Sequence, residues 1–120
     1  VSYSLRIAIP RLPPLQAAGT TGTHWAKRYR EKRWWTHQVH WHARFHGLPP
    51  EPLTRATVRI TRCSASEPDA DNLAASAKFP LDALVAARVL ADDNPENLEL
   101  RLDWEKALRG RGELRIEVSG

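Results

Sequence analysis

Four aspartates raise the first question about chemistry. Asp69 and Asp71 stand two apart in "EPDADNL", and Asp92 and Asp93 are adjacent in "LADDNPEN". Carboxylates without His or Cys beside them are hard oxygen donors, suited to Mg2+ or Mn2+ rather than Zn2+. If the chain at 69–71 is extended, both side chains point the same way. If the turn at 92–93 folds back to meet them, three or four ligands converge; that depends on tertiary packing. A divalent cation would relieve the repulsion among clustered carboxylates and attract phosphate. The chemistry would be phosphodiester hydrolysis, in which a metal polarises the phosphoryl oxygen, activates a water and steadies the leaving oxygen. A lysine nearby would stabilise charge in the transition state. Lys78 is the only Lys or Arg between Arg62 and Arg88. Taken singly, the same residues read as ordinary structure: Asp71 or Asn72 as a helix cap, "DDNP" as an Asx-type turn, Lys78 as a solvated helix residue.

Charge placement bears on the choice. Residues 1–66 carry 11 Lys/Arg and 2 Asp/Glu, a balance of +9, while residues 67–120 carry 7 and 12, a balance of −5. A basic half invites a polyanion, and an acidic half repels one unless something positive is bound there. A metal among the aspartates would make the acidic patch the reactive centre of a phosphate-binding surface. Hydrophobic residues make up 42% of the 120, enough for one folded domain over 1–120 with a modest core. No apolar run approaches a membrane span and nothing resembles a signal peptide. The single cysteine, Cys63, excludes an internal disulfide and a cysteine-based zinc site, and fits a reducing cytoplasm.

The elements that must position these residues follow from periodicity. "VSYSLRIAIP" alternates Val1, Tyr3, Leu5, Ile7 and Ile9 against Ser2, Ser4 and Arg6, a half-buried strand ended by Pro10. "RLPPLQAAGTTGT" is a loop. The pattern then predicts one helix over about 24–46, with Thr23 as N-cap and its stop at Gly47. On that helix Trp25, Tyr29, Trp35, Val39 and Ala43 share one face, and Trp34, Trp41 and Phe45 fall nearly opposite. "LTRATVRITRCS" reads as the second strand, with Ala56, Val58 and Ile60 inward. A helical stretch over about 72–88 contains Pro80, which predicts a kink or a start there. "ADDNPEN" is a turn, and "LELRLDW" and "ELRIEV" alternate as two further strands around the connection "ALRGRG". The order β-α-β-α-β-β implies a small α+β domain with one mostly covered sheet of about four strands and two main helices.

Lys27, Arg28, Arg30, Lys32 and Arg33 crowd the start of the long helix, interleaved with Tyr29, Trp34 and Trp35. They read as phosphate contacts without a base code, or as a solvated cationic face. They surround the helix, so not all can touch DNA. The Trp34, Trp41 and Phe45 stripe is a candidate homodimer face, with stacking of Trp34 on an unpaired base as the alternative. Phe79 reads as core or as a wedge near the site. His37, His40, His42 and His46 read as helix-surface or interface residues, since no Cys and no HExxH pattern accompanies them.

The set "PDADNL…K…LDAL…VLADD" resembles the RusA family of Holliday junction resolvases, in its phage-type form. "IAIPRLPP" is similar to that family's first strand and its exit, "HWAKRYREKRWW" to its basic aromatic segment, and "RGRGELRIEV" to its last strand. The resemblance spans nearly the whole chain. It implies a dimeric, Mg2+-dependent endodeoxyribonuclease, with Mn2+ as a substitute and no organic cofactor. Such an enzyme nicks branched DNA, a four-way junction, in pairs during recombination and repair. By motif position Asp69 and Asp71 match the first two metal-site aspartates and Asp93 the third, with Asp92 as the fallback. The motif's lysine lies four residues after the second aspartate; that place is Ala75 here, and Lys78 is seven on. Offsets of four and seven share a helical face, so Lys78 can substitute in space. Two rivals remain: a catalytically silent junction-binding module of the same fold, and a small assembly protein that works through its aromatic stripe.

Overall fold

A computed structural model describes residues 2–14 and 25–120. Val1, most of the loop at 15–23, the proposed cap Thr23 and the helix start at residue 24 lie outside the described residues. The elements are β1 (Ser4–Ile9), α1 (Trp25–His46), β2 (Ala56–Ser64), α2 (Ala70–Ala75), α3 (Lys78–Ala86), β3 (Leu98–Lys106) and β4 (Glu113–Ser119). This is the expected α+β order, with the second helical stretch divided in two.

The four strands form one mixed sheet in the order β1-β4-β2-β3. β4 pairs antiparallel with both β1 and β2, and β2 pairs parallel with β3. A parallel pair needs a crossover, and α2 with α3 supplies it. Leu5, Ile7 and Ile9 of β1, Val58 and Ile60 of β2, and Leu114, Ile116 and Val118 of β4 point to one face. Trp35, Val39 and Ala43 of α1 and Ala83 and Leu84 of α3 close over them. The other face carries charge: Arg59 pairs with Asp103, and Arg115 with Glu105 and Glu113. These ion pairs are exposed, and such pairs contribute little to stability. The sheet is therefore covered by helices on one face rather than mostly enclosed.

Three local details follow from residue type. α1 stops at Gly47, whose φ of 104° few side chains tolerate; its N–H donates to the Ala43 carbonyl, and the Tyr3 hydroxyl donates to its own carbonyl. Pro80 lies in the first turn of α3, so it marks a start rather than a kink inside one helix. A proline there cannot donate to the Ser76 carbonyl, and the chain breaks at Ser76–Ala77. The second strand begins at Ala56 instead of Leu53; Leu53 makes an isolated parallel bridge to Leu90.

The long helix departs from the expected division of faces. Trp35, Val39 and Ala43 are buried, but Trp25 and Tyr29, assigned by angle to the same face, are 71% and 58% exposed. The reason is length. A helix of 22 residues spans about 33 Å, whereas strands of six and seven residues span about 20–24 Å. The first turns of α1 run past β1, and Trp25 and Tyr29 stand beside Lys78, Phe79 and Asp82 of α3 instead.

Candidate functional site

The N-terminus of α2 is where the first two aspartates meet the fold. Asp69 is the N-cap: its carboxylate accepts from the Asn72 backbone N–H at 2.8 Å and from the Asn72 side-chain amide at 3.3 Å. The cap is thus Asp69, not Asp71 or Asn72. Asp71 already lies in the first helical turn, so the stretch is not the extended chain on which both carboxylates would point the same way. A step of two residues turns a helix by about 200°.

The second pair of aspartates belongs to a different place. Asp92 accepts from the Asn94 N–H at 3.1 Å, and Asn94 in turn accepts from the Glu96 N–H at 3.0 Å, two successive Asx turns. The turn is fastened to the end of the sheet where β2 and β3 begin: Ala91 N–H donates to Leu53, and Ala56 N–H donates to Asn97. α2 follows the opposite end of β2. That nine-residue strand, about 30 Å long, separates the end of the sheet that holds the turn from the end that leads to α2.

Asp69, Asp71, Asp92 and Asp93 therefore do not converge. No group of three or more His, Cys, Asp or Glu among the described residues is placed to hold a metal ion. The centre of three or four converging carboxylates that the sequence suggested is thus not assembled among the described residues. The physical reason is that "DAD" and "DD" sit at the two ends of the α2–α3 crossover between β2 and β3.

What the fold does gather is a cationic cleft between α1 and the α2–α3 pair. Asp71, Ala74, Lys78 and Phe79 line a hollow of about 310 Å3 together with Pro14 and Arg28. It shares Arg28, Lys78 and Phe79 with a neighbouring hollow of about 350 Å3, whose other walls are Trp25, Tyr29, Lys32 and Asp82. Asp82 stands between two ammonium groups, 3.8 Å from Lys32 Nζ and 4.0 Å from Lys78 Nζ. The Arg28 guanidinium sits 5.4 Å from the centre of the Phe79 ring, whose body is buried. Lys78 is thus on the same side as Asp71 although it is seven residues along.

Arg62 braces the chain beside this cleft. It is buried, and its guanidinium donates to the Pro13 carbonyl at 3.0 Å and to Ser76 Oγ at 2.9 Å. Burial pushes its pKa down. The two bonds tie the loop after β1 to the break between α2 and α3. The inward series read from the sequence ends at Ile60; two residues further the same alternation points Arg62 inward. Sequence reasoning also misses Asp82, although its spacing of four from Lys78 puts both on one helical face.

Of the five cations at the start of α1, all exposed, Arg28 and Lys32 line the cleft and Lys27, Arg30 and Arg33 do not. The proposed dimer stripe is reduced. Trp34 is half-buried against the core, edge-on to Trp35 and covered by Arg11 at 4.2 Å. Trp41 and Phe45 remain, stacked on one another at 5.6 Å and both exposed. His37 and His46 are exposed, and His40 and His42 half-buried. No described helix is long and apolar enough to cross a membrane. Compared with protein-family models and with curated proteins, the chain matches none.

Proposed function

We propose that the protein binds branched DNA through the cationic cleft and, as its RusA-like motif implies, hydrolyses it as a junction-selective endodeoxyribonuclease. The observation that carries this reading is the joining of Asp71, Lys78 and Arg28 in one cleft. Arg28 and Lys32 would neutralise strand phosphates, and Lys78 would face the phosphate beside Asp71. Mg2+, or Mn2+ in its place, is the cofactor of such an enzyme, and it would supply Lewis acidity. Asp71 is the carboxylate in the cleft, and a cation bound by one carboxylate together with substrate phosphates is a known form of Mg2+ binding. A homodimer through Trp41 and Phe45 would present two clefts related by a two-fold axis, matching the symmetry of a four-way junction.

A second reading, a junction-binding module of the same fold without hydrolysis, is favoured by the separation of Asp92 and Asp93 from α2. One assay divides the two: a labelled synthetic four-way junction, with linear duplex as control, incubated with Mg2+ and then with EDTA. Paired nicks that need Mg2+ and disappear in Asp71→Asn are expected. Tight junction binding with no cleavage in Mg2+ or Mn2+ would leave only the silent module.

A further inference from the structure

We infer that the outer part of the cleft is a stacking site for an unpaired nucleobase, held by Trp25 and Tyr29 with flanking phosphates on Arg28, Lys32 and Lys78. The inference rests on the DNA-binding reading and names the part of the DNA that this site takes. Trp25 and Tyr29 are four apart on α1, so both stand on one face of the helix. Both are far more exposed than large aromatic side chains usually are, and both line the same hollow of about 350 Å3. That is a volume typical of small-ligand clefts.

The chemistry of the walls selects the occupant. Aromatic planes at a cleft mouth accept any flat, apolar-faced group, and on these alone a protein partner would serve as well. The cations decide against it. Three of them, Arg28, Lys32 and Lys78, surround the aromatic pair, and among the described residues Asp82 is the single carboxylate on this hollow. Asp82 is shared by the two lysines at 3.8 and 4.0 Å, so it offsets one charge and leaves an excess of positive charge. Arg28 is held over Phe79, and no ion pair joins it to an acid among the described residues. Aromatic rings interleaved with uncompensated cations are the recurring platform for single-stranded nucleic acid: rings take the base faces, and cations track the backbone. A paired base in a duplex offers no free face, so the site distinguishes unpaired from paired strands without a sequence code.

The test measures binding of a labelled oligothymidine and of a fully paired duplex to the intact chain. Wild type is expected to bind both. Trp25→Ala is expected to weaken oligothymidine binding about tenfold, with Tyr29→Ala close behind. Both should leave duplex binding unchanged, and Trp25→Phe should retain most of the affinity. These side chains are exposed, so the variants should fold as wild type does. Wild-type duplex binding with oligothymidine affinity unmoved by Trp25→Ala and Tyr29→Ala would overturn the stacking site and leave the DNA-binding reading standing. Equal losses on both ligands would also overturn it, because a general backbone contact would then explain the result. Failure of the wild type to bind any DNA would remove both.

Discussion

The two ends of α1 are built from the same kinds of residue and present different surfaces. At the first end Trp25 and Tyr29 stand apart from each other in a cleft, among Arg28, Lys32 and Lys78. At the far end Trp41 and Phe45 stack on one another, with His42 and His46 against their edges. Neither pair reaches the core: Trp25 and Tyr29 lie on the first turns, ahead of the buried stretch, and Trp41 and Phe45 lie on the face turned away from buried Val39 and Ala43. Exposed aromatic rings alone thus say little about a partner. The charge around them separates a surface suited to nucleic acid from one suited to a second protein.

The largest effect should come from removing that charge at the first end. Arg28→Gln with Lys32→Gln is expected to lower DNA affinity roughly a hundredfold at about 0.1 M salt. It should also cut the slope of log affinity against log salt by about 2, one for each phosphate left without its cation. Arg44→Gln, beside Phe45 at the far end, should change neither quantity measurably. Titrations by fluorescence anisotropy across a salt series read both. Equal effects of the two changes would abolish the distinction between the ends and reduce α1 to a uniform cationic rod.

The sequence and the fold agree where period and chemistry coincide. β1 and β4 alternate cleanly, and their inward residues are the ones the pattern names. Gly47 and Pro80 mark boundaries by their own backbone limits. The core part of α1 is also legible, since Trp35, Val39 and Ala43 repeat at steps of four. Helical angle cannot say where a helix outruns its sheet, so Trp25 and Tyr29 read as core. The carboxylates show the same limit. Asp69 and the "DDNP" turn do locally what their residue types favour, a cap and an Asx turn. Whether α3 carries the second pair toward the first or away from it is a question of crossover length and register. That is set by Leu53 bridging Leu90, not by the aspartates themselves.

A smaller effect is expected at the far end. Trp41→Glu with Phe45→Glu should raise the dissociation constant of the homodimer by roughly thirtyfold or more, since stacked aromatics at the centre of an interface carry much of its energy. Sedimentation of wild type and variant over a concentration series measures it. Binding of one DNA arm should persist in the variant, while paired nicking should fall to single nicks. A wild type that stays monomeric at every concentration would remove the dimer and leave the Trp41–Phe45 pair without a role in it.

The smallest effect sharpens the contrast between the ends through pH. Burial holds the His42 imidazole below its ordinary value of 6.5, and the charge of His46 adds to this. The folded chain therefore binds that proton less readily than the unfolded one. His42's neutral form favours the fold fully above 6.5, and the advantage is lost as pH falls through 6.5 toward the lower folded value. Thermal unfolding should show the wild type losing about 1–2 °C more than His42→Gln between about pH 7.5 and about pH 5. Covering Trp41 and Phe45 with a second copy would bury His42 further and depress its pKa more. The acid loss in the wild type should then grow with protein concentration, as dimer replaces monomer, and that dependence on concentration should vanish in the Trp41→Glu, Phe45→Glu variant. An acid loss independent of concentration would assign the whole shift to the single chain.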